Sequence, residues 1–164
     1  MTVIRRVVLI AVTAMIAMGA VATIDAAPAT AAKSRAARMI DQGLAWTNAY
    51  QVKHGCQRVR LNSRLNRAAR LHSVEMATFK RMTHVGPRGN STFITRARQQ
   101  GYNLIMGENV AFGYGTGRAV VNTGWARSAP HRRNMLNCRS KAMGLGVSFD
   151  SNGVPYWTQM FGLR

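Results

Sequence analysis

The hydrophobic period of this chain changes part-way along, and that change constrains its fold more than any other feature. From Ser34 to about Lys53, Ile40, Leu44, Trp46 and Tyr50 recur at near-helical spacing, and Gly55 then stops the helix. The helical pattern is clearest after Asn62, a ready N-cap: Leu65, Ala69, His72, Met76 and Phe79 follow at alternating steps of four and three, with Arg64, Arg67 and Arg70 mostly off the stripe. At the far end the period drops to two. Gly144 to Phe149 and Val154 to Phe161 alternate around Asp150-Ser151-Asn152-Gly153, which predicts a hairpin.

Between these ends lie a Gly86–Asn90 loop, a short helix capped by Ser91 and stopped at Gly101, and an extended stretch from Leu104 to Phe112. Thr116 then caps a helix that turns Val120, Val121 and Trp125 inward, and Ser128 caps a further turn with Pro130 just inside it. Helical segments followed by a short sheet, without βαβ alternation, predict an α+β domain with helices packed on an antiparallel sheet.

The N-terminus reads as an export signal. Arg5 and Arg6 precede an uncharged stretch from Val7 to Ile24, and the small residues from Ala26 to Ala32 carry the A-x-A pattern of a cleavage site. Residues 1–32 are assigned to this signal, with cleavage after Ala31 or Ala32, and residues 33–164 to one domain. The alternative is a retained anchor, since eighteen uncharged residues just suffice to span a bilayer. Arg5-Arg6 also fits twin-arginine export. The expected location is secreted, extracellular or cell-wall associated, where Cys56 and Cys138 form a disulfide rather than two buried thiols.

The formal charge is +18 for the chain, and about +17 for residues 33–164. Such a charge favours anionic partners, envelope polymers or lipid headgroups, and peripheral contact with a membrane. Its arginines are spread along the chain, and the denser run Arg58, Arg60, Arg64, Arg67, Arg70 has no interleaved aromatics, so the preferred reading of the charge is a solvated basic face. No specific nucleic-acid reader is expected. The domain is expected to be a monomer.

Acids are scarce. Five Asp and Glu and four His occur in 164 residues, so a Glu in the glycine-flanked apolar stretch Gly107-Glu108-Asn109-Val110-Ala111 has another purpose than solubility. If the fold brings His84, Glu108 and His131 together, two imidazoles and a carboxylate converge. That set suits zinc or another divalent cation, which a chain this long does not need for folding. A metal-bound water would make hydrolysis conceivable. A hydrogen-bonded network or a weak metal site ranks ahead of a catalytic centre, because no H-E-x-x-H helix preorganises the ligands. His72 falls on the apolar stripe as core or cleft wall, His54 complements a helix end, and Glu75 is expected in solvent. Ser128, in S-x-x-H spacing with His131, is explained by capping before nucleophilic chemistry. Trp46, Trp125, Trp157, Phe112 and Tyr114 read first as core and second as the wall of a lipid- or glycan-holding groove.

Taken in order, several segments resemble the SCP/CAP domain of cysteine-rich secretory proteins, antigen 5 and plant pathogenesis-related proteins, in its small secreted bacterial branch. They are Ala69-Arg70-Leu71-His72-Ser73 with Met76, His84, Arg96 before Gly101-Tyr102, Gly107 to Ala111, Trp125 with Ser128, His131 to Leu136, Gly144-Leu145-Gly146, and Tyr156 to Gln159 with Phe161-Gly162. The resemblance implies an α-β-α sandwich with a three-stranded antiparallel sheet. It also implies a cleft holding His84, Glu108 and His131, walled by His72, Trp125 and Ser128, and a Cys56–Cys138 bond. Where many members carry a second Glu three residues after the tryptophan, this chain has Ser128. The function implied is a binding or interaction module at the cell envelope, taking a divalent cation or a lipid. The alternatives are a metal-assisted extracellular hydrolase and a cationic envelope-adhering protein.

Overall fold

The structure, a computed structural model, describes residues 32–86, 89 and 91–164. The expected signal peptide falls on residues outside these apart from Ala32, as does part of the Gly86–Asn90 loop. The described elements run α1 (Arg35–Lys53), β1 (Arg60–Leu61), α2 (Ser63–Thr78), α3 (Phe93–Gln99), β2 (Ile105–Phe112), α4 (Gly117–Ala119) with a π-helical continuation (Val120–Trp125), α5 (Ala129–Met135), β3 (Ala142–Phe149) and β4 (Pro155–Gly162). Among the described residues no helix is long and apolar enough to cross a membrane.

The sheet has the order β1-β3-β4-β2. β3 and β4 form the expected hairpin, and β2 pairs antiparallel with β4. The expected three-stranded antiparallel sheet is corrected by β1, which adds a fourth, parallel strand through Arg60 and Leu61 beside Ala142 and Met143. Two residues are too short to show any period.

Both faces of the sheet are covered, so β4 is buried along its whole length rather than on alternate residues. On one face Met143, Leu145, Val147, Trp157 and Phe161 pack with Met39 of α1 and with Val120, Val121 and Trp125. On the other, Leu65, Ala68 and Ala69 of α2 pack with Ala97 of α3, Ala142 and Met160. The helix α2 reaches the sheet because β3 presents no side chain there. A Cβ on Gly144 would lie 2.3 Å from the Leu65 carbonyl carbon and oxygen, and one on Gly146 would lie 2.5 Å from the Ala69 carbonyl carbon. Cys56 and Cys138 are disulfide-bonded, 82 residues apart in sequence. In the chain-entropy account, closing a loop of that length is worth roughly 4.5 kcal/mol.

Several local expectations are corrected. The buried stripe of α1 is Met39, Gly43, Thr47, Asn48 and Gln51, with Ile40, Leu44, Trp46 and Tyr50 packed along its margins. Its polar members are buried because they are bonded: Asn48 exchanges hydrogen bonds with Val59, and Gln51 donates to the Met135 carbonyl. Phe79 and Phe112, expected inside, are exposed. Thr92, not Ser91, caps α3, because the Ser91 hydroxyl is bonded to Arg96. Ser128 occupies the N-cap position of α5 and its carbonyl accepts from Arg132, but its hydroxyl makes no cap bond. Pro130 at the second helical position removes one of the two N–H groups such a hydroxyl bonds.

Gly144→Ala is expected to destabilise the domain toward the upper end of the ~1–3 kcal/mol range of overpacking, because the added methyl meets backbone rather than a movable side chain. Gly115→Ala, where the Cβ meets nothing within 4 Å, is expected to stay within about 0.5 kcal/mol. Urea unfolding of the two variants beside the parent checks the contrast.

Candidate functional site

Glu108 comes from β2, opposite Met160 of β4, on the face covered by α2 and α3. Its side chain is 1% exposed. Oε2 accepts from Arg96 Nη2 at 2.7 Å, and Oε1 accepts from His84 Nδ1 at 3.1 Å. A carboxylate oxygen accepts here, so His84 Nδ1 is the donor to Glu108 and Nε2 is the ring nitrogen turned away from it.

Arg96 on α3 is the residue that gathers the site. The same guanidinium donates to the His84 carbonyl at 3.0 Å and to the Ser91 carbonyl at 3.0 Å, while its side chain is 6% exposed. His72, fully buried on α2, donates from Nε2 to the Thr83 carbonyl at 2.8 Å. Two buried donors therefore hold the carbonyls of consecutive residues, Thr83 and His84. The half-exposed His84 ring, which lies in a loop, is fixed through its backbone as well as through Glu108.

His131 arrives from the other side, on α5. Asn109 Nδ2 donates to the His131 carbonyl and to Gln159 Oε1, and Gln159 in turn donates to Thr47 on α1. Asn134 donates to the Glu108 carbonyl and to Asn109 Oδ1. It fits because a side chain on Gly107 would lie 2.8 Å from Asn134 Oδ1. This places the His131 ring centroid 6.3 Å from that of His84.

The structure thus brings His84, Glu108 and His131 into one neighbourhood, with Glu108 bonded to His84 and already paired with Arg96. Among the described residues no three His, Cys, Asp or Glu side chains converge as ligands of one ion. The expected cleft wall is divided. Trp125, Ser128 and His131 line an apolar groove of about 290 Å³ with Met82, Val110, Ala111, Phe112, Tyr114 and Gly124. His72 lines a separate polar pocket of about 320 Å³ with Glu75, Ser91 and Arg96. Trp125 is fully buried, its indole N–H donating to the Val110 carbonyl, and it meets Trp157 edge-on. Glu75, expected in solvent, is partly buried, with Oε2 3.6 Å from His72 Nδ1.

Electrostatics follow burial. Desolvation lowers the pKa of His131, and the nearby His84 ring adds to the effect. Desolvation also lowers His72; the Glu108 charge opposes this and Arg96 reinforces it. His54 caps the end of α1, its Nδ1 donating to the Tyr50 carbonyl.

The profile of the cysteine-rich secretory protein family, CAP, matches residues 44–161. An uncharacterised protein, YkwD, of Bacillus subtilis strain 168 is 30% identical over 147 residues, covering 85% of this chain and 56% of that protein. A second relative in that organism, the uncharacterised membrane protein YlbC, is 31% identical and is covered over 32% of its length. The chain thus spans about half and about a third of these relatives. Among solved structures, an SCP-domain extracellular protein of Bacillus anthracis superposes with TM-score 0.65 at 26% identity, over 76% of this chain and 40% of the other. An outer surface protein of Borrelia burgdorferi superposes with TM-score 0.67 at 19% identity, over 76% and 92% respectively, a likeness of fold. With the family profile spanning most of the domain and the helices and sheet arranged as in these structures, the chain belongs to the cysteine-rich secretory protein (CAP) family.

Proposed function

We propose that this CAP domain is a binding module exported to the cell envelope, and that its ligand lies in the groove between Phe112 and His131. The similarity to extracellular and outer-surface proteins supports the location. The observation that carries the binding reading is the state of Glu108: both carboxylate oxygens are engaged and its charge faces a buried guanidinium. A general base needs an acceptor open to the substrate or its water, and this carboxylate is 1% exposed. Glu108 orders its neighbours instead of reacting, which sets the hydrolase reading behind the binding one.

The donor set does not fit a three-ligand metal centre, because Glu108 is spent on Arg96 and His84. What it fits is a weakly held cation on two imidazoles, His84 and His131, with Glu108 orienting the His84 ring through Nδ1. The groove beside them has mostly apolar walls, and Phe112 at its rim is 52% exposed. Such walls suit an apolar group, an acyl chain or an aromatic side chain, whose polar end meets His131.

A fluorescent acyl probe is expected to bind the mature domain, and Phe112→Asp is expected to weaken it about tenfold or more, the worth of one buried aromatic contact. Equal binding by parent and variant contradicts the groove assignment. In the same preparation, absence of zinc heat at pH 7 removes the cation part of the reading and leaves the groove standing.

A second expectation concerns pH. The folded pKa of His72 lies below the ordinary histidine value of 6.5. Its contribution is therefore complete above about pH 6.5 and is lost as pH falls through the folded value. The parent is expected to lose melting temperature between pH 7 and 5. His72→Gln, which keeps a donor for the Thr83 carbonyl but does not titrate, is expected to lose less. Parallel pH profiles would show that His72 is not the group responsible.

A further inference from the structure

We infer that the edge of the sheet at β1 is a docking groove for a linear phosphate polymer of the envelope, distinct from the groove at His131. Two adjoining pockets lie there. One, of about 380 Å³, is lined by Gln57, Arg58, Arg60, Leu61, Asn62, Lys141, Ala142 and Arg164. The other, of about 590 Å³, takes in Asn62, Arg64, Tyr102 and Arg164. Sharing Asn62 and Arg164, they adjoin, and their combined lining carries five cationic side chains and no Asp or Glu side chain.

The Asp and Glu side chains of residues 33–164 are engaged elsewhere. Asp41 pairs with Lys33, Glu108 with Arg96, Glu75 faces His72, and Asp150 accepts the backbone N–H groups of its own turn. Arg58, Arg60, Arg64, Lys141 and Arg164 are all exposed. Within the groove, Arg64 donates to the Gly101 carbonyl and Lys141 to Gln57 Oε1, neutral partners that leave their charge uncompensated, while elsewhere Arg35 lies over Phe149 and Arg118 over Trp46. Five cations set together repel one another, so the groove is at its most favourable when an anion occupies it. The first turn of α2, capped by Asn62, adds its positive dipole end to the same place.

The chemistry selects among polyanions. Four of the five cations are arginines, whose planar forks suit phosphate oxygens. Two adjoining recesses with cations in both accept a thin chain with a charge on each repeat better than one free anion, and a flat bilayer does not follow a recess. Tyr102, the aromatic in the lining, is buried and bonded to the Arg164 carbonyl, so no base-stacking platform is offered.

Long-chain inorganic polyphosphate is the probe, titrated into the mature domain over a series of salt concentrations. Arg58→Glu/Arg60→Glu is expected to lower affinity at least thirtyfold and to reduce the salt slope by about two, one for each arginine withdrawn from a phosphate. Arg81→Glu/Arg133→Glu changes net charge equally at exposed positions outside the groove, and is expected to cost under threefold. All four positions are exposed, so melting temperatures should hold. Equal losses in the two variants would overturn the inference, since charge alone would then bind. So would competition by monomeric phosphate at equal phosphorus concentration, or a patch-dependent affinity for phosphatidylglycerol vesicles or polygalacturonate as high as that for polyphosphate. Phe112→Asp should leave polyphosphate binding intact, which separates this surface from the acyl groove.

Discussion

Taking the Arg96 guanidinium and the Glu108 carboxylate out of water costs several kcal/mol for each ion, and their attraction offsets that only when the remaining donors and acceptors are also bonded. Here they nearly all are. Arg96 spends its two terminal nitrogens on Glu108, His84 and Ser91, and Glu108 spends its second oxygen on His84. Three segments far apart in sequence, the loop at His84, helix α3 and strand β2, are thereby joined. The position of the half-exposed His84 ring depends on this buried pair.

The opposite side of the site is built from neutral groups. Thr47, Gln159, Asn109, Asn134 and the His131 carbonyl form a chain of hydrogen bonds from α1 through the sheet to α5. Such a network is secure when its members are satisfied and costly when one is lost. A charged clamp holds His84 and an amide chain holds His131, so the two rings are set by independent means. On the Glu108 face of the sheet, α2 packs closely on β3, which Gly144 and Gly146 allow by having no side chain.

Much of the fold was legible because its signals are local. Asn62 caps α2 through Arg64 and Leu65 backbone N–H groups, the stripe from Leu65 to Met76 is buried, and the turn at Asp150 to Gly153 joins β3 to β4. β1 escaped because its evidence is a pairing, not a pattern. The buried face of α1 escaped because Thr47, Asn48 and Gln51 are admitted by partners remote in sequence. At the site, the scarcity of acids singled out Glu108, and its glycine-flanked strand set it apart. The resemblance marked Arg96 by its place before Gly101-Tyr102 but gave it no role, and charge alone could not single it out among 23 basic residues. Its fingerprint is burial, which no period in a seven-residue helix reports. The same holds for His72, whose place on an apolar stripe predicts concealment but not the carbonyl it holds.

The dependence of the site on the buried pair is tested most directly by a double-mutant cycle of Arg96→Met and Glu108→Leu, read by urea unfolding of residues 33–164. Each single change leaves one ion buried without its partner and is expected to cost about 3–5 kcal/mol, whereas the double change, apolar on both sides, is expected to recover at least about 2 kcal/mol of their sum. Additive losses would contradict the account, because they would mean that the guanidinium and the carboxylate stabilise the protein independently of each other.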